Sequence, residues 1–286
     1  MFKINIESFK YITVYYNTTC LDSVKLMVQE HYDTPEYENT IFFINVLPNN
    51  TVFDKQLDKL FNKRIYYMLE HKITDERYYS SELYTWDNYY MEWIKNTNIT
   101  EIWTMDYRPQ FGIRCEQELG IPVIYKPVRY STLINPIENI NTTSKNVDLC
   151  LIGGIYNSHR QEIIEQLINN MACSFKALFG KKISSFTEEM NTSRFIIDIL
   201  REKNILTQNQ VRIFELLCMG YTVCAEKCSI NMFPGLIYEW ENIDDLYNII
   251  KRGEYLHPTE AYKEMTYTDE AYEKYVNNLI HIQNGI

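Results

Sequence analysis

Residues 147–169 read VDLCLIGGIYNSHRQEIIEQLIN, a stretch that joins an apolar run, a glycine pair and an amphipathic run. The apolar run at 147–152 is typical of a strand that is buried on both faces of a parallel sheet. Ser158 and Gln161 form a capping-box pattern, and the isoleucines and leucine that follow recur on one helical face. The stretch therefore predicts a strand–turn–helix unit of an α/β fold.

The same alternation continues on both sides of this stretch. Before it, the patterns predict strands at 12–16, 40–47, 64–69, 101–105 and 121–125, and helices at 22–31, 53–60, 89–95 and 111–119. After it, they predict strands at 174–179, 195–200, 221–225 and 237–240, and helices at 210–219, 243–251, 258–264 and 269–282. Strands and helices at this spacing are typical of a doubly wound parallel sheet.

The polar segment 135–146, NPIENINTTSKN, is the predicted linker between two domains. It contains Pro136 and has no apolar period. A chain of 286 residues suits two domains, because domains usually have roughly 100–200 residues. We therefore expect an N-terminal lobe at 1–135, a C-terminal lobe at 147–257, and C-terminal helices at 258–286 that pack across the lobes.

The composition bears on the partners and the compartment. The net charge of −10 disfavours nucleic acid, because the phosphate backbone repels an acidic surface. No apolar run approaches the roughly 20 residues of a membrane span. With no signal-peptide pattern and an odd number of cysteines, seven, we expect a cytoplasmic protein. The enrichment in Asn, Ile, Lys and Tyr is typical of an AT-rich genome, and for a viral source the host cytoplasm is expected.

The glycine pair marks the first candidate ligand site. Glycine allows a positive φ and lets a ligand approach the backbone, and loops at the carboxyl ends of parallel strands bind ligands. Gly153, Gly154, Tyr156 and Asn157 form this loop, and Arg160 brings a fixed charge that suits a phosphate. The alternative is a plain connection with Arg160 on the surface.

Residues 209–220, NQVRIFELLCMG, predict a helix whose N-terminus suits a diphosphate. Free N–H groups and a partial positive charge attract anions there. Asn209 precedes the helix, Arg212 lies in its first turn, and the Glu215 carboxylate can accept both hydroxyls of a ribose. The alternative is a surface ion pair between Arg212 and Glu215, worth roughly 0.2–0.5 kcal/mol. The predicted apolar stripe of this helix consists of Val211, Phe214 and Cys218.

These segments resemble the C-terminal domain of GT-B glycosyltransferases, and most closely the group with an R-x-F-E helix. The resemblance rests on the glycine turn with Arg160, VRIFELLCMG at 211–220, YTVC at 221–224 and YEWENIDDL at 238–246. It is strong over about 147–250. It is looser before that, where the similar segments are YMLEH at 67–71, IW at 102–103, GIPV at 120–123 and KPVRY at 126–130.

The resemblance implies two Rossmann-like lobes with a cleft between them. It also implies transfer of a sugar from a nucleotide-sugar donor, such as a UDP- or GDP-sugar, to a glycan, a protein or a small-molecule acceptor. By the family's pattern, Arg212 contacts the diphosphate and Glu215 the ribose. Retaining members often carry a second Glu eight positions before the helix Glu. Thr207 stands there, which weakens the case for a retaining mechanism and leaves the stereochemistry open.

An inverting transferase needs a general base, and candidates follow two predicted strands. Glu70 and His71 follow one strand, and Asp106 follows another. His71 is favoured because its reference pKa of about 6.5 leaves it ready to accept a proton. With no Asp-x-Asp motif, we expect no metal and no cofactor; the helix end and Arg212 can stabilise the leaving diphosphate. The other histidines are expected to be plain surface residues: His31, His159, His257 and His281.

Other functions stay open. The chain can be a degenerate, non-catalytic transferase that holds a glycan or a partner, because Thr207 replaces a Glu. It can also be a GT-B-like epimerase that converts the donor with no acceptor. A DNA-modifying transferase is disfavoured by the net charge.

Overall fold

A computed structural model describes residues 4–17, 22–44, 60–69, 81–137, 144–154, 158–169, 173–179, 183–200 and 205–285. The chain divides into two compact units, Met1–Leu133 and Ile134–Ile286. Each unit contains a sheet of mainly parallel strands with helices between them. The predicted α/β class with two Rossmann-like lobes is therefore confirmed.

The described residues of the first unit form a six-stranded sheet in sequential order. Its strands are β1 (Ile4–Ser8), β2 (Ile12–Asn17), β3 (Thr40–Ile44), β4 (Lys63–Met68), β5 (Glu101–Thr104) and β6 (Val123–Tyr125). Its helices are α1 (Asp22–Tyr32), α2 (Ser81–Asn96) and α3 (Gln110–Leu119), with a 3₁₀ turn at Pro35–Tyr37. β1 is antiparallel to β2, and the other pairs are parallel.

Aromatic side chains cover both faces of this sheet, because successive strand residues point to opposite faces. On one face, the ring of Tyr32 in α1 lies 5.9 Å from Phe42 and 4.8 Å from Trp103. On the other, Trp93 of α2 lies 5.8 Å from Phe43 and 5.3 Å from Tyr66. Burial on both faces explains why β3 reads as a continuous apolar run.

The second unit contains a five-stranded, all-parallel sheet in its described residues. Its strands are β7 (Val147–Ile152), β8 (Phe175–Leu178), β9 (Ser193–Asp198), β10 (Val223–Glu226) and β11 (Tyr238–Trp240). Its helices are α4 (Ser158–Asn169), α5 (Thr187–Asn191), α6 (Gln210–Met219), α7 (Ile243–Arg252), α8 (Pro258–Thr266) and α9 (Asp269–Asn284), with a 3₁₀ turn at Ile183–Phe186. The strand order is β11-β10-β9-β7-β8.

The last two helices belong to the second unit. The Thr259 hydroxyl of α8 donates to the Leu217 carbonyl of α6 at 3.1 Å, and the rings of Tyr262 and Phe214 lie 6.5 Å apart. Tyr275 of α9 donates its hydroxyl proton to the Met232 carbonyl. The contacts of α8 cover part of α6, and α9 is held to the segment between β10 and β11.

The predictions differ from the structure in several places, and three of these differences have a clear physical cause. β9 begins and ends two residues before the predicted 195–200, because Ile199 and Leu200 are buried beyond the last strand residue and extend the apolar pattern. β1 was not predicted, because its pairing is antiparallel and Ile6 is exposed, so the segment lacks a continuous apolar run. The stripe predicted for α6 is too narrow: Ile213, Leu216 and Leu217 are also fully buried, whereas Val211 is half-buried.

Some predicted segments lie outside the described residues. These are the end of the predicted strand 40–47, most of the helix at 53–60, and residues 138–143 of the linker. The described linker residues, 135–137 and 144–146, form neither helix nor strand.

Candidate functional site

The strand order of the second sheet places a topological switch point between β7 and β9. From β7 the chain continues to β8 on one side of the sheet, whereas β9, β10 and β11 follow on the other side. Ligands of such open α/β sheets bind outside the carboxyl ends of the strands at this point. Here Gly153 and Gly154 follow β7, and Ile199 and Leu200 follow β9. The glycine turn predicted from the sequence therefore lies at the expected position.

Gly153 has a backbone conformation and a neighbour that both require glycine. Its φ is +128°, which side-chain-bearing residues rarely adopt. A Cβ placed on it would lie 2.8 Å from Nη2 of Arg212. The guanidinium of α6 therefore lies directly over the turn that follows β7, and the two predicted ligand segments meet at this contact.

Arg212 forms an ion pair with Asp198, the last residue of β9. Its Nη1 lies 2.8 Å from Oδ1 of Asp198, and the two side chains are 17% and 1% exposed. Oδ2 of Asp198 is buried without a hydrogen-bond partner among the described residues. The partner of Arg212 is thus a buried strand-end carboxylate, which sequence reasoning missed.

The side chain of Asn209 caps the N-terminus of α6. Asn209 accepts a hydrogen bond from the Arg212 backbone N–H at 3.3 Å, and its side chain lies in an exposed position. Glu215 is half-buried, one turn after Arg212. Thr207 is buried and forms a β-bridge with Ile230, which holds the segment leading into the helix.

Arg160 is buried, so its alternative placement on the surface is wrong. Its Nη1 donates to the Gly154 carbonyl at 2.8 Å, and its Nη2 donates to the Ile199 carbonyl. These bonds join the segments that follow β7 and β9 across the switch point. Direct contact of Arg160 with a donor stays a prediction.

His159 and Glu226 form a second pair that the sequence did not indicate. Nε2 of His159 lies 2.8 Å from Oε1 of Glu226, the last residue of β10. Oε2 of Glu226 accepts the Leu200 backbone N–H at 2.9 Å. The expectation that His159 is a plain surface residue is therefore wrong. The bridge crosses the end of β9 and holds the loop that follows it.

His31 is likewise not a plain surface residue, because its Nε2 lies 2.6 Å from the Tyr130 carbonyl. His257 and His281 are exposed.

The two strand-end carboxylates that the sequence analysis missed, Asp198 and Glu226, do have a signal in the sequence. Asp198 follows the apolar residues FII, and Glu226 follows VCA. An acidic residue that ends an apolar strand lies at the carboxyl edge of a parallel sheet, where ligands bind.

The cysteines near this edge are held as neutral thiols. Burial raises the pKa of Cys228 to about 12, and its Sγ–H donates to the Ile230 carbonyl at 3.0 Å. Burial likewise raises the pKa of Cys150 in β7 to about 11. A nucleophilic cysteine requires the opposite shift, so these thiols do not suit covalent catalysis.

The first unit contains one described candidate for the catalytic base. Asp106 follows β5 and is buried. Its backbone N–H donates to the Thr104 hydroxyl at 3.1 Å, and that hydroxyl donates to the Asp106 carbonyl at 3.0 Å. Asp106 thus lies at the carboxyl edge of the first sheet, and its role stays a prediction. The other predicted site residues Glu70, His71, Tyr156 and Asn157 lie outside the described residues.

Within the described parts of the chain, no three or more His, Cys, Asp or Glu side chains are grouped to hold a metal ion. No helix among these residues is long and apolar enough to cross a membrane.

No protein-family profile and no curated protein matches the sequence. Solved structures with a similar course of the chain include the galactosyltransferase WaaB of the lipopolysaccharide outer core in its apo form. It is 11% identical, with 91% of this chain and 94% of that chain covered and a TM-score of 0.41. BGT of T4 phage, in complex with its UDP-glucose substrate, is 12% identical, with 87% and 81% covered and a TM-score of 0.47. A glycosyltransferase of Rickettsia africae is 13% identical, with 91% and 78% covered and a TM-score of 0.40.

Proposed function

We propose that this protein is a glycosyltransferase that moves a sugar from a nucleotide-sugar donor to an acceptor, without a catalytic metal. The observation that carries the proposal is the Arg212 guanidinium over Gly153, at the N-terminus of α6 and at the switch point of a parallel sheet. These features suit a diphosphate, because a fixed cation and the positive end of a helix attract it and a glycine turn leaves the backbone accessible.

The proposed donor lies along the edge formed by β7, β9 and α6. The diphosphate contacts Arg212 and the backbone at Gly154, because the Gly153 N–H already donates to the Leu178 carbonyl at 3.1 Å. The ribose hydroxyls donate to Glu215, one turn further along α6, as the sequence resemblance implies. Asn209 contributes at the start of the helix, and Tyr156 and Asn157, which lie outside the described residues, stay predicted donor contacts from the sequence.

The same groups favour bond cleavage. When the glycosidic bond to the donor phosphate breaks, negative charge builds up on the leaving diphosphate. A cation that is already in place stabilises this charge with little reorganisation. Arg212 and the helix N-terminus supply positive charge at one point, and this is the basis for proposing metal-independent transfer.

The acceptor side of the reaction is assigned to the first unit, as the sequence resemblance implies. Asp106, at the carboxyl edge of the first sheet, is a candidate base together with His71 and Glu70. A glycan, a protein or a small molecule with a free hydroxyl fits this role as acceptor. In an inverting reaction, the base removes the hydroxyl proton while the sugar bond forms.

Calorimetric titration with a panel of UDP- and GDP-sugars tests the donor site. The wild type is expected to bind one class of donor, and Arg212→Ala to lose roughly 1.5–3 kcal/mol of binding free energy, as expected for a charge-assisted contact. Lys251→Ala is the matched control, because Lys251 is an exposed cation at the end of α7. Absence of binding across the panel, or equal binding by Arg212→Ala, contradicts the proposed site.

Turnover then separates the alternative functions. Slow release of nucleoside diphosphate from a bound donor, without acceptor, is expected of a transferase. Binding without any release indicates a non-catalytic protein, and a converted sugar still attached to its nucleotide indicates an epimerase. Binding of DNA at low salt would favour a DNA-modifying transferase, which the net charge of −10 disfavours.

A further inference from the structure

Asp198 is fixed in place before any ligand arrives. It is the last residue of β9, paired in register with Ala225 of β10, and its side chain is 1% exposed. A carboxylate at the end of a central parallel strand has little freedom to move, because both neighbouring strands bound it. Whatever it binds is therefore held at a defined point of the carboxyl edge.

Arg212 uses only part of its hydrogen-bonding capacity on this carboxylate. Its Nη1 donates to Oδ1 of Asp198 at 2.8 Å, while Nη2 lies over Gly153. A guanidinium has five N–H donors in one rigid plane. The ion pair between Nη1 and Asp198 fixes the orientation of the guanidinium plane and so of its remaining N–H donors. Because the Arg212 side chain is 17% exposed, a ligand can still reach it.

We infer that Asp198 is a positioning residue, which holds the Arg212 guanidinium over Gly153 in the orientation that receives a diphosphate. The inference rests on the proposed function and adds to it the residue that organises the diphosphate site. Asp198 acts through Arg212 and does not itself touch the ligand, because a carboxylate against a diphosphate would be repelled.

The sign of one measurement separates positioning from simple electrostatics. If Asp198 only adds negative charge near the site, removing it strengthens binding of an anion. If Asp198 positions Arg212, removing it weakens binding, since a freed arginine samples many rotamers. Asp198→Asn removes the charge but keeps an oxygen that can accept a hydrogen bond from Nη1. Simple electrostatics therefore predicts tighter anion binding by this variant, whereas positioning predicts nearly unchanged binding.

Calorimetric titration with inorganic pyrophosphate provides this measurement, because the probe carries the diphosphate and no base or sugar. Asp198→Ala is expected to weaken pyrophosphate binding about tenfold, as for a misplaced charge-assisted contact. Asp198→Asn should stay within about twofold of the wild type, because one hydrogen bond to Arg212 survives. In an Arg212→Ala background, Asp198→Ala should have no further effect, as expected when one residue acts through the other.

Nucleoside affinity distinguishes a positioning role of Asp198 from a merely structural one. Affinity for uridine or guanosine, whichever base the protein prefers, should be the same in Asp198→Ala and the wild type. Equal weakening for nucleoside and pyrophosphate indicates general loss of structure and overturns the inference. If Asp198→Ala does not fold, Asp198→Leu replaces it, because a side chain of similar size leaves no cavity at this buried position.

Further outcomes separate this inference from the proposed function. Tighter or unchanged pyrophosphate binding by Asp198→Ala, with binding lost in Arg212→Ala, overturns the role of Asp198 and leaves the donor site intact. No pyrophosphate binding by the wild type overturns the inference as well. Pyrophosphate binding with the expected dependence, but no binding of any nucleotide sugar, supports the role of Asp198 and contradicts the transferase.

Discussion

At the residue scale, the site depends on side chains that reach across the ends of different strands. Asp198 ends β9 and binds Arg212, and Glu226 ends β10 and binds His159. Arg212 could be predicted from the sequence because it lies in a recognisable helix. Its partner could not, since the pairing depends on which strands become neighbours. For the same reason, the pattern of residues does not indicate that His159 pairs with a carboxylate 67 residues further along the chain.

Gly153→Ala tests the contact between the glycine turn and Arg212. The added Cβ would lie 2.8 Å from Nη2, so the guanidinium must move. We expect diphosphate binding to weaken about tenfold, as when a charge-assisted contact is lost, together with roughly 1–2 kcal/mol of lost stability from the positive φ. Gly235→Ala is the control, because Gly235 has φ +76° and open space around it. Equal diphosphate affinity in both variants would argue against the contact.

Asp87 gives a residue-scale prediction about pH. Burial raises its pKa to about 7, against the opposing effect of Arg114 at 3.8 Å. The folded state therefore binds more protons than the unfolded state between pH 3.8 and about 7, so stability falls as the pH rises through this window. The full effect is at most about 4 kcal/mol, because each pKa unit corresponds to about 1.4 kcal/mol.

Asp87→Asn should remove this contribution. Urea unfolding from pH 4 to pH 8 is expected to show the variant gaining stability relative to the wild type as the pH rises, with no further gain above pH 8. Glu92→Gln, an exposed carboxylate change on the same helix, is the control. Parallel pH profiles for Asp87→Asn and the wild type would show that Asp87 is ionised without cost in the fold.

At the element scale, the second unit followed its sequence pattern most closely. α4, α6 and α7 begin at the predicted residues, because each has clear polar and apolar positions around its start. The errors arose where tertiary packing changed the pattern. α6 is buried on nearly all sides by the sheet and by α8, so no single stripe describes it. β9 ends before its apolar pattern does, because Ile199 and Leu200 are buried outside the sheet.

A comparison of two asparagine caps distinguishes the structural role of a helix N-terminus from a role in ligand binding. Asn209 caps α6 and Asn242 caps α7, each by accepting a backbone N–H bond, at 3.3 Å and 3.0 Å. Replacement of either by alanine should cost about 1 kcal/mol of stability. Only Asn209→Ala is expected to weaken diphosphate binding as well, because only α6 begins at the switch point. Equal affinity in the two variants would remove the start of α6 from the site.

At the scale of the whole molecule, two α/β units were predicted from the sequence, as was the edge of the second sheet at which we propose that the donor binds. The strand order β11-β10-β9-β7-β8 could not be read from the alternation of strands and helices, which is the same for several orders. That order is what places the turn at Gly153 beside the end of β9. A concave surface elsewhere in the second unit, between α4 and α7, is lined by Glu162, Glu165 and Asp244. Its acidic lining does not suit a diphosphate.

A crystal structure of the protein with the tightest-binding nucleotide sugar tests the central claim most directly. We expect the diphosphate within hydrogen-bonding distance of the Arg212 guanidinium and the backbone of Gly154, with the ribose at Glu215. Arg212 should keep its contact with Asp198 in that complex. A nucleotide bound elsewhere, in the groove between α4 and α7 for example, or at the switch point with Arg212 turned away, would contradict the account.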